Sequence, residues 1–331
     1  MSQYYPVRNS HDPDRRGKQL MQSEPNNASR LMRAWMAVAV LTMLGVSRSS
    51  AQTHVLVGTS RGLRLLVVEE NILPTLKILL PGEPDSSQGI VVVFPEHVTV
   101  RERGKTEAEH LYLWQPGRWG RQPAWRQVGQ SLEYEMDLKN HVHLHARATL
   151  EPDGVRFHYD LVSRSNVDYE MVQAITDPRL YSAFFHDMRL ERTYVHHREG
   201  FDLLASETPG RLTMPEKEWL PCRYRVPFTW PVVPRRVEKK EDGITWYNKS
   251  RQVDQPFIAT VSQNGKWIAA TCTGESGNVW TNPELTCQHA DPSTSLQAGG
   301  TASLDVKTFV FQGTLEEVLQ KVKQQRKQWG Y

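Results

Sequence analysis

The sequence predicts an all-β protein, a large antiparallel β-sandwich that ends in a short C-terminal α-helix. Three observations carry that reading. Short apolar runs recur through residues 52–331, bounded by Gly, Pro, Asn or Asp. Two segments, 141–150 and 155–161, alternate apolar and polar residues with the two-residue period of a strand. In the mature region, a capped amphipathic helix shows only from Thr314 onward.

Taken in order, strands are predicted at 54–58, 63–69 (LRLLVVE), 73–80 (LPTLKILL) and 90–94 (IVVVF), the last bounded by Gly89 and Pro95. In 141–150 (HVHLHARATL), Val142, Leu144, Ala146 and Ala148 fall on one face, and His141, His143, His145 and Arg147 on the other. Glu151, Pro152, Asp153 and Gly154 supply a turn. Val155, Phe157, Tyr159 and Leu161 then alternate with Arg156, His158 and Asp160, so the two segments read as a hairpin. A strand at 171–176 follows.

From Pro178 to about Pro234 the chain is polar and aromatic, and its latter half holds Pro209, Pro215, Pro221, Pro227, Pro231 and Pro234. Proline fixes φ and removes a backbone donor, so this stretch predicts extended loops across a sheet face. Strands resume at 243–247, 256–262 (PFIATVS) and 267–273 (WIAATCT), the latter two joined through Asn264 and Gly265. A last strand, 303–311 (SLDVKTFVF), leads to the helix. There Thr314 and Glu317 form a capping box, and Leu315, Val318, Leu319 and Val322 make the apolar stripe. Many strands with one terminal helix mean a sandwich.

The formal charge is +3, and residues 1–51 hold seven Lys/Arg against three Asp/Glu, which leaves the remainder close to neutral. No basic footprint asks for nucleic acid. No Gly-rich loop runs from a strand into a helix, and G-x-S-x-G, H-E-x-x-H and P-loop patterns are missing. Nucleotide folds and a serine nucleophile are therefore disfavoured, and no cofactor is expected. Ten tryptophans, all but Trp35 beyond residue 51, serve as core filler or as flat platforms for the C–H faces of sugar rings.

Residues 34–46 (AWMAVAVLTMLGV) carry no charge, but 13 residues are too few to span a bilayer as a helix, which takes roughly 20. Arg30 and Arg33 precede them, and Ser49, Ser50 and Ala51 follow as a small-residue cleavage site. Residues 32–51 are thus expected to be a signal peptide for the periplasm or the exterior. The 31 residues ahead are polar and aperiodic, a disordered or misassigned leader, with translation starting at Met32. What remains, 52–331, is expected to be one β-sandwich domain with no stable membrane span after cleavage. Its three cysteines, Cys222, Cys272 and Cys287, allow one disulfide, with Cys272 and Cys287 on neighbouring strands, or three buried thiols. Neither C-x-x-C nor a Cys/His spacing of the structural zinc type stands out.

Four groups carry candidate chemistry. His141, His143 and His145 would lie on one strand face about 7 Å apart, from the ~3.3–3.4 Å rise per residue, so that His143 and His145 are candidate metal ligands or a solvated polar face. In 187–197, an extended backbone would point Arg192, Tyr194 and His196 together, a cation, a phenol and an imidazole suited to a polyhydroxylated or carboxylated ligand, with His196 a proton carrier. The segment 278–292 brings Trp280, Asn282, Glu284, Gln288, His289 and Asp291 onto one connection before the Gly-rich turn at Ala298, Gly299 and Gly300. A fourth group, Glu216 to Trp219 and Arg223 to Arg225, has similar composition.

The order of Pro283 to Pro292, then Leu296, Gln297, Ala298 and Gly299, then the strand Ser303 to Phe311, resembles the end of a galactose-mutarotase-like β-supersandwich. The hairpin 141–161, closed by Ser163, Arg164, Ser165 and Asn166, resembles that family's middle strands, so the likeness covers about half of the mature chain. It implies a fold shared by sugar epimerases, polysaccharide lyases and domains of glycoside-processing enzymes. The family's epimerases place a catalytic Glu near this C-terminal loop, where this sequence has Gln288 followed by His289. An amide cannot remove a proton from a sugar hydroxyl, and Glu284 is the substitute at hand.

Together these features point to an exported carbohydrate-binding or carbohydrate-active protein. Its acid–base residues would be His289, Glu284 and His196, and its binding residues Arg192, Tyr194, Trp280, Asn282 and Asp291. The alternative is a non-catalytic periplasmic binding or scaffold module.

Overall fold

The structure, a computed structural model, describes residues 55–57, 62–68, 73–113, 123–180, 182, 185–230, 240–241 and 244–331. The expected leader and signal peptide, residues 1–51, lie outside them. Strands β1 (Val55–Val57), β2 (Arg64–Val67), β3 (Thr75–Leu79) and β4 (Ile90–Val93) form an antiparallel meander. A hairpin of β5 (His97–Glu102) and β6 (Glu109–Tyr112) follows. Then β7 (Arg126–Val128), β8 (Ser131–Leu138), β9 (Val142–Glu151) and β10 (Gly154–Ser163) make a second meander.

The middle of the chain holds β11 (Tyr169–Ala174), β12 (Asp177–Arg179), β13 (Thr193–His197), β14 (Gly200–Leu203), a one-turn helix α1 (Glu216–Trp219) and β15 (Arg223–Pro227). The proline-dense stretch is thus broken into short elements rather than left as loop throughout. The last third contributes β16 (Lys240–Glu241), β17 (Ile244–Asn248), β18 (Phe257–Val261), β19 (Trp267–Thr273), β20 (Asn278–Thr281), β21 (Ser293–Leu296), β22 (Thr301–Gln312) and helix α2 (Leu315–Gln328).

Nine strands make one antiparallel sheet in the order β14-β13-β18-β19-β22-β10-β9-β8-β7. The alternation read from the sequence sets its faces: along β9, Val142, Leu144, Ala146 and Ala148 are buried and the residues between them are not. The buried face packs on the sheets β1-β2-β3-β4-β12 and β21-β11-β5-β6, and Leu144, Phe157, Tyr159, Val306, Ile78, Phe94, Val98 and Val172 share that core. This is the predicted sandwich. Among the described residues one pair departs from antiparallel order: β15 runs parallel to β17 in the small sheet β16-β17-β15-β20.

On the opposite face of the large sheet, Phe257, Ile268, Ala270, Phe309 and Phe311 receive Val318 and Val322 of α2. The capping box of Thr314 and Glu317 starts that helix as predicted. At the β9–β10 turn, Gly154 sits at φ +153°, where an added Cβ would lie 2.1 Å from the Thr308 carbonyl oxygen. Close approach of β22 therefore requires glycine there. All three cysteines are buried and free, so the Cys272–Cys287 bridge is not formed.

Candidate functional site

Short-strand pairing brings distant segments together at one place. The pairing of β12 with β4 sets Asp177 opposite Val93 and Arg179 opposite Val91. Just before it, the Glu96 amide donates to the Ile175 carbonyl at 2.7 Å and the Ile175 amide to the His97 carbonyl at 3.0 Å, which fixes the entry to β5. From the other side, Arg179 bridges Cys287, the Gln288 amide donates to the Pro178 carbonyl at 3.0 Å, and Trp280 and His289 exchange both backbone hydrogen bonds at 3.0 Å. Extended backbone then turns Cys287, His289 and Asp291 to one side and Gln288 to the other. Beneath, the Tyr159 hydroxyl is hydrogen-bonded to Thr176, and Phe94 packs on Phe157 and Tyr159 with ring centres 5.0 Å away.

The cluster that results is dominated by ions and flat rings. His289 lies between two carboxylates, with Nε2 3.3 Å from Asp177 Oδ1 and Nδ1 3.4 Å from Asp291 Oδ1. Its ring stacks on Trp280, 3.7 Å between centres and 3° from parallel, and the Trp280 indole N–H donates to Asp291 Oδ2 at 3.1 Å. Trp246 packs against Trp280, ring centres 5.6 Å apart and tilted by 59°, and the Arg225 guanidinium sits 4.8 Å from the Trp246 ring centre. Arg179 donates through Nε to Asp177 Oδ2 at 2.6 Å and approaches Glu96 Oε1 at 3.9 Å. His97 Nδ1 is 3.9 Å from Glu96 Oε2, and the His97 ring meets His110 edge-on at 4.6 Å. Asp177 and His289 are buried at 2 % side-chain exposure, whereas Glu96 keeps 27 % and Arg179 20 %.

Electrostatics sorts these groups. Burial, reinforced by the Asp177 charge, pushes the Glu96 carboxyl up to about 7 against the pull of Arg179 and His289. Burial and the neighbouring His110 and His289 push His97 down to about 3, so it is a neutral imidazole. Burial would raise Asp177, but Arg179 and His289 hold it well below the usual carboxylate range. Burial would likewise lower His289, yet Cys287 and the neighbouring Asp291 and Asp177 carboxylates hold it well above an ordinary imidazole. A carboxyl able to exchange a proton near neutrality thus reaches the surface beside a guanidinium, over a buried imidazolium caged by carboxylates.

Of the residues singled out from sequence, Trp280, His289 and Asp291 meet in this cluster. Asn282 does a local job: its Oδ1 accepts from the Leu285 amide at 2.7 Å and shapes the turn on which Glu284 stands exposed. Arg192, Tyr194 and His196 form a separate group. Arg192 donates to the carbonyls of Val261 and His186, both at 2.6 Å, and His196 Nδ1 pairs with Asp254 at 2.7 Å while its ring meets Phe201. Tyr194 lies on β13, paired with Ala259 and Leu203.

His143 and His145 face cross-strand carboxylates, Asp137 at 2.8 Å for the first and Glu133 at 3.3 Å for the second. His141 leaves their face, since it closes a 3₁₀ turn with φ +58° ahead of β9.

Sequence reasoning missed Glu96, His97, Asp177, Arg179 and Cys287. Its available signal was the alternation Cys287, His289, Asp291, three ligating side chains at two-residue spacing on extended chain.

No family model and no curated protein matches this sequence. Solved structures similar to it include several galactose mutarotase-like proteins. The GalM/aldose epimerase homologue from C. elegans is 10 % identical at a TM-score of 0.45, with 79 % of this chain and 100 % of that one covered. The Slr1438 protein from Synechocystis sp. PCC 6803 is 12 % identical at 0.44, covering 79 % and 96 %. A putative aldose 1-epimerase from Escherichia coli K12 is 8 % identical at 0.40, covering 79 % and 100 %. Likenesses this distant leave the chemistry of the chain to its own side chains.

Proposed function

We propose that this chain is exported and acts on a carbohydrate by acid–base chemistry at the cluster around Glu96, Arg179 and His289. The observation that carries the reading is the partly exposed pair of Glu96 and Arg179, 3.9 Å apart, beside buried rings and ions. Arg179, anchored through Nε on Asp177, places a positive charge beside Glu96 of the kind that draws ligand oxygens. Glu96 can take or give a proton, which is efficient when the group titrates near the working pH. The proton carrier therefore moves from His289, which is sealed in, to Glu96; Asp177, His289 and Asp291 orient what lies above them. Trp280 and Trp246 are themselves buried and hold the cluster in place, Trp280 through its stacked ring on His289 and its indole N–H to Asp291. Signal residues 32–51 deliver the domain to the periplasm or exterior.

The test is a panel of monosaccharides and oligosaccharides, followed by polarimetry for anomer exchange and by ultraviolet absorbance for eliminated products. Glu96→Gln should lower turnover by at least about 100-fold, the usual contribution of a positioned acid or base, with ligand binding retained. Wild-type protein that neither binds nor turns over any sugar would end the reading. A second reading, a non-catalytic binding module, is favoured by the burial of His289 and Asp177, which keeps both from touching a ligand; binding without turnover would select it. Amino-terminal sequencing of protein recovered outside the cytoplasm tests export, and a start within residues 1–31 would contradict it.

A further inference from the structure

We propose that Asp177, Cys287 and His289 form a binding site for one divalent metal ion of the zinc class. The proposal stands on the ligands themselves and holds whether or not the domain acts on sugars. Among the described residues these three are the set of ligating side chains whose donor atoms all lie within 4.8 Å of one another, and all three are buried. Zinc and cobalt accept a thiolate, an imidazole and a carboxylate together, whereas magnesium and calcium favour the carboxylate alone of the three.

One side of each of two ligands is already held, which leaves Asp177 Oδ1 and His289 Nε2 next to each other. Arg179 Nε occupies Asp177 Oδ2, while Oδ1 is buried without a hydrogen bond and faces His289 Nε2. On His289, Asp291 Oδ1 takes the other ring nitrogen, and Asp291 is anchored in turn by the Trp280 indole. A carboxylate behind the non-ligating nitrogen is the usual support of a metal-bound histidine.

The spacing agrees. Two bonds of about 2.0–2.1 Å at a tetrahedral angle set N and O about 3.3–3.4 Å apart. Nε2 and Oδ1 are 3.3 Å apart, longer than the ~2.7–2.9 Å of a charge-assisted hydrogen bond. The strand pairing explains why the three meet: Arg179 opposite Cys287 places Asp177 across from His289, and Cys287 and His289 share a face. Three protein ligands leave a fourth position for water.

Untagged full-length protein, equilibrated with Zn²⁺ and desalted, should retain one equivalent by elemental analysis. With Co²⁺ it should show the visible bands of a four-coordinate ion and a near-ultraviolet sulfur-to-cobalt charge-transfer band. Cys287→Ser should abolish the charge-transfer band and Cys272→Ser should keep it. If Cys287→Ser does not fold, Asp291→Asn, which removes no ligand, should weaken Zn²⁺ binding about 10–100-fold. Under a tenth of an equivalent of zinc, a charge-transfer band that survives Cys287→Ser, or unchanged affinity in Asp291→Asn overturns the site. Metal content is read without substrate, and the Glu96→Gln comparison can be run with chelator present, so failure of one proposal is distinct from failure of the other.

Discussion

Replacing Gln288 by Glu installs a carboxyl at the position where the resemblance to sugar epimerases leads one to look for it, and the structure predicts that it damages the fold without adding activity. The Gln288 side chain points away from the Glu96–His289 cluster into the large sheet, at 1 % exposure. Its Nε2 donates to Thr260 Oγ1 and to the Ala269 carbonyl, both at 3.0 Å, and its Oε1 accepts from Thr271 Oγ1 at 3.0 Å. A carboxylate can keep the bond from Thr271 but meets the Ala269 carbonyl with a lone pair, so the acid must stay protonated. Keeping a group of unfolded pKa near 4.3 neutral at pH 7 costs about 4 kcal/mol, at 1.36 kcal/mol per pH unit. The second N–H bond lost adds about 1 kcal/mol.

The folded pKa is raised, so the ionisation penalty is absent below about pH 4 and grows as pH rises. Urea unfolding followed by circular dichroism, with chelator present, should give a wild-type minus Gln288→Glu difference of about 1 kcal/mol near pH 4 and about 5 kcal/mol at pH 7. Equal differences at the two pH values, or gain of sugar turnover, would refute the orientation assigned to residue 288.

Asp153 pairs with Lys307 at 2.9 Å and Lys321 at 2.6 Å; burial alone would raise its pKa, but the two ammonium groups lower it. Its contribution is therefore present above the unfolded value near pH 4 and is lost as pH falls through the lower folded value, so Asp153→Asn should flatten the acid side of the stability curve measured between about pH 2 and 5. Gly154→Ala forces a Cβ to within 2.1 Å of the Thr308 oxygen and 2.8 Å of Phe309 Cα at φ +153°, and should cost about 3 kcal/mol in urea unfolding; a loss under about 1 kcal/mol would mean that β22 yields easily. Thr314→Ala removes the side chain that accepts from the Glu317 amide and should lower stability by about 1 kcal/mol, read as a drop in Tm by calorimetry.

Where structure is local in sequence it was legible. The 141–161 hairpin, the Asn264–Gly265 turn and the capped C-terminal helix follow from alternation, turn residues and capping chemistry, and all three are present. The parallel partnership of β15 with β17 was not, because proline density reports only where regular elements end. The candidate site was half legible. Trp280, His289 and Asp291 share one segment and were read together, while Glu96 and Asp177 come from chain about two hundred and one hundred residues away. Nothing in the sequence near Glu96 or Asp177 announces that β4, β12 and the Cys287–Asp291 strand will be neighbours; register does that. Arg192 and His196 stand in the sequence reading as binding and acid–base candidates on a separate segment, and their bonds run to Val261, His186 and Asp254.

The alternation of residues 287 to 291 means that a single stretch of backbone is read from two sides. One side faces the ion cluster; the other, through Gln288, is held by Thr260, Ala269 and Thr271 inside the sheet. Residues that no ligand could reach therefore set where His289 stands. For anyone wishing to retune this domain, Thr260 and Thr271 are remote control points: a substitution there is expected to shift the backbone at Gln288, and with it His289, without altering any group of the cluster itself.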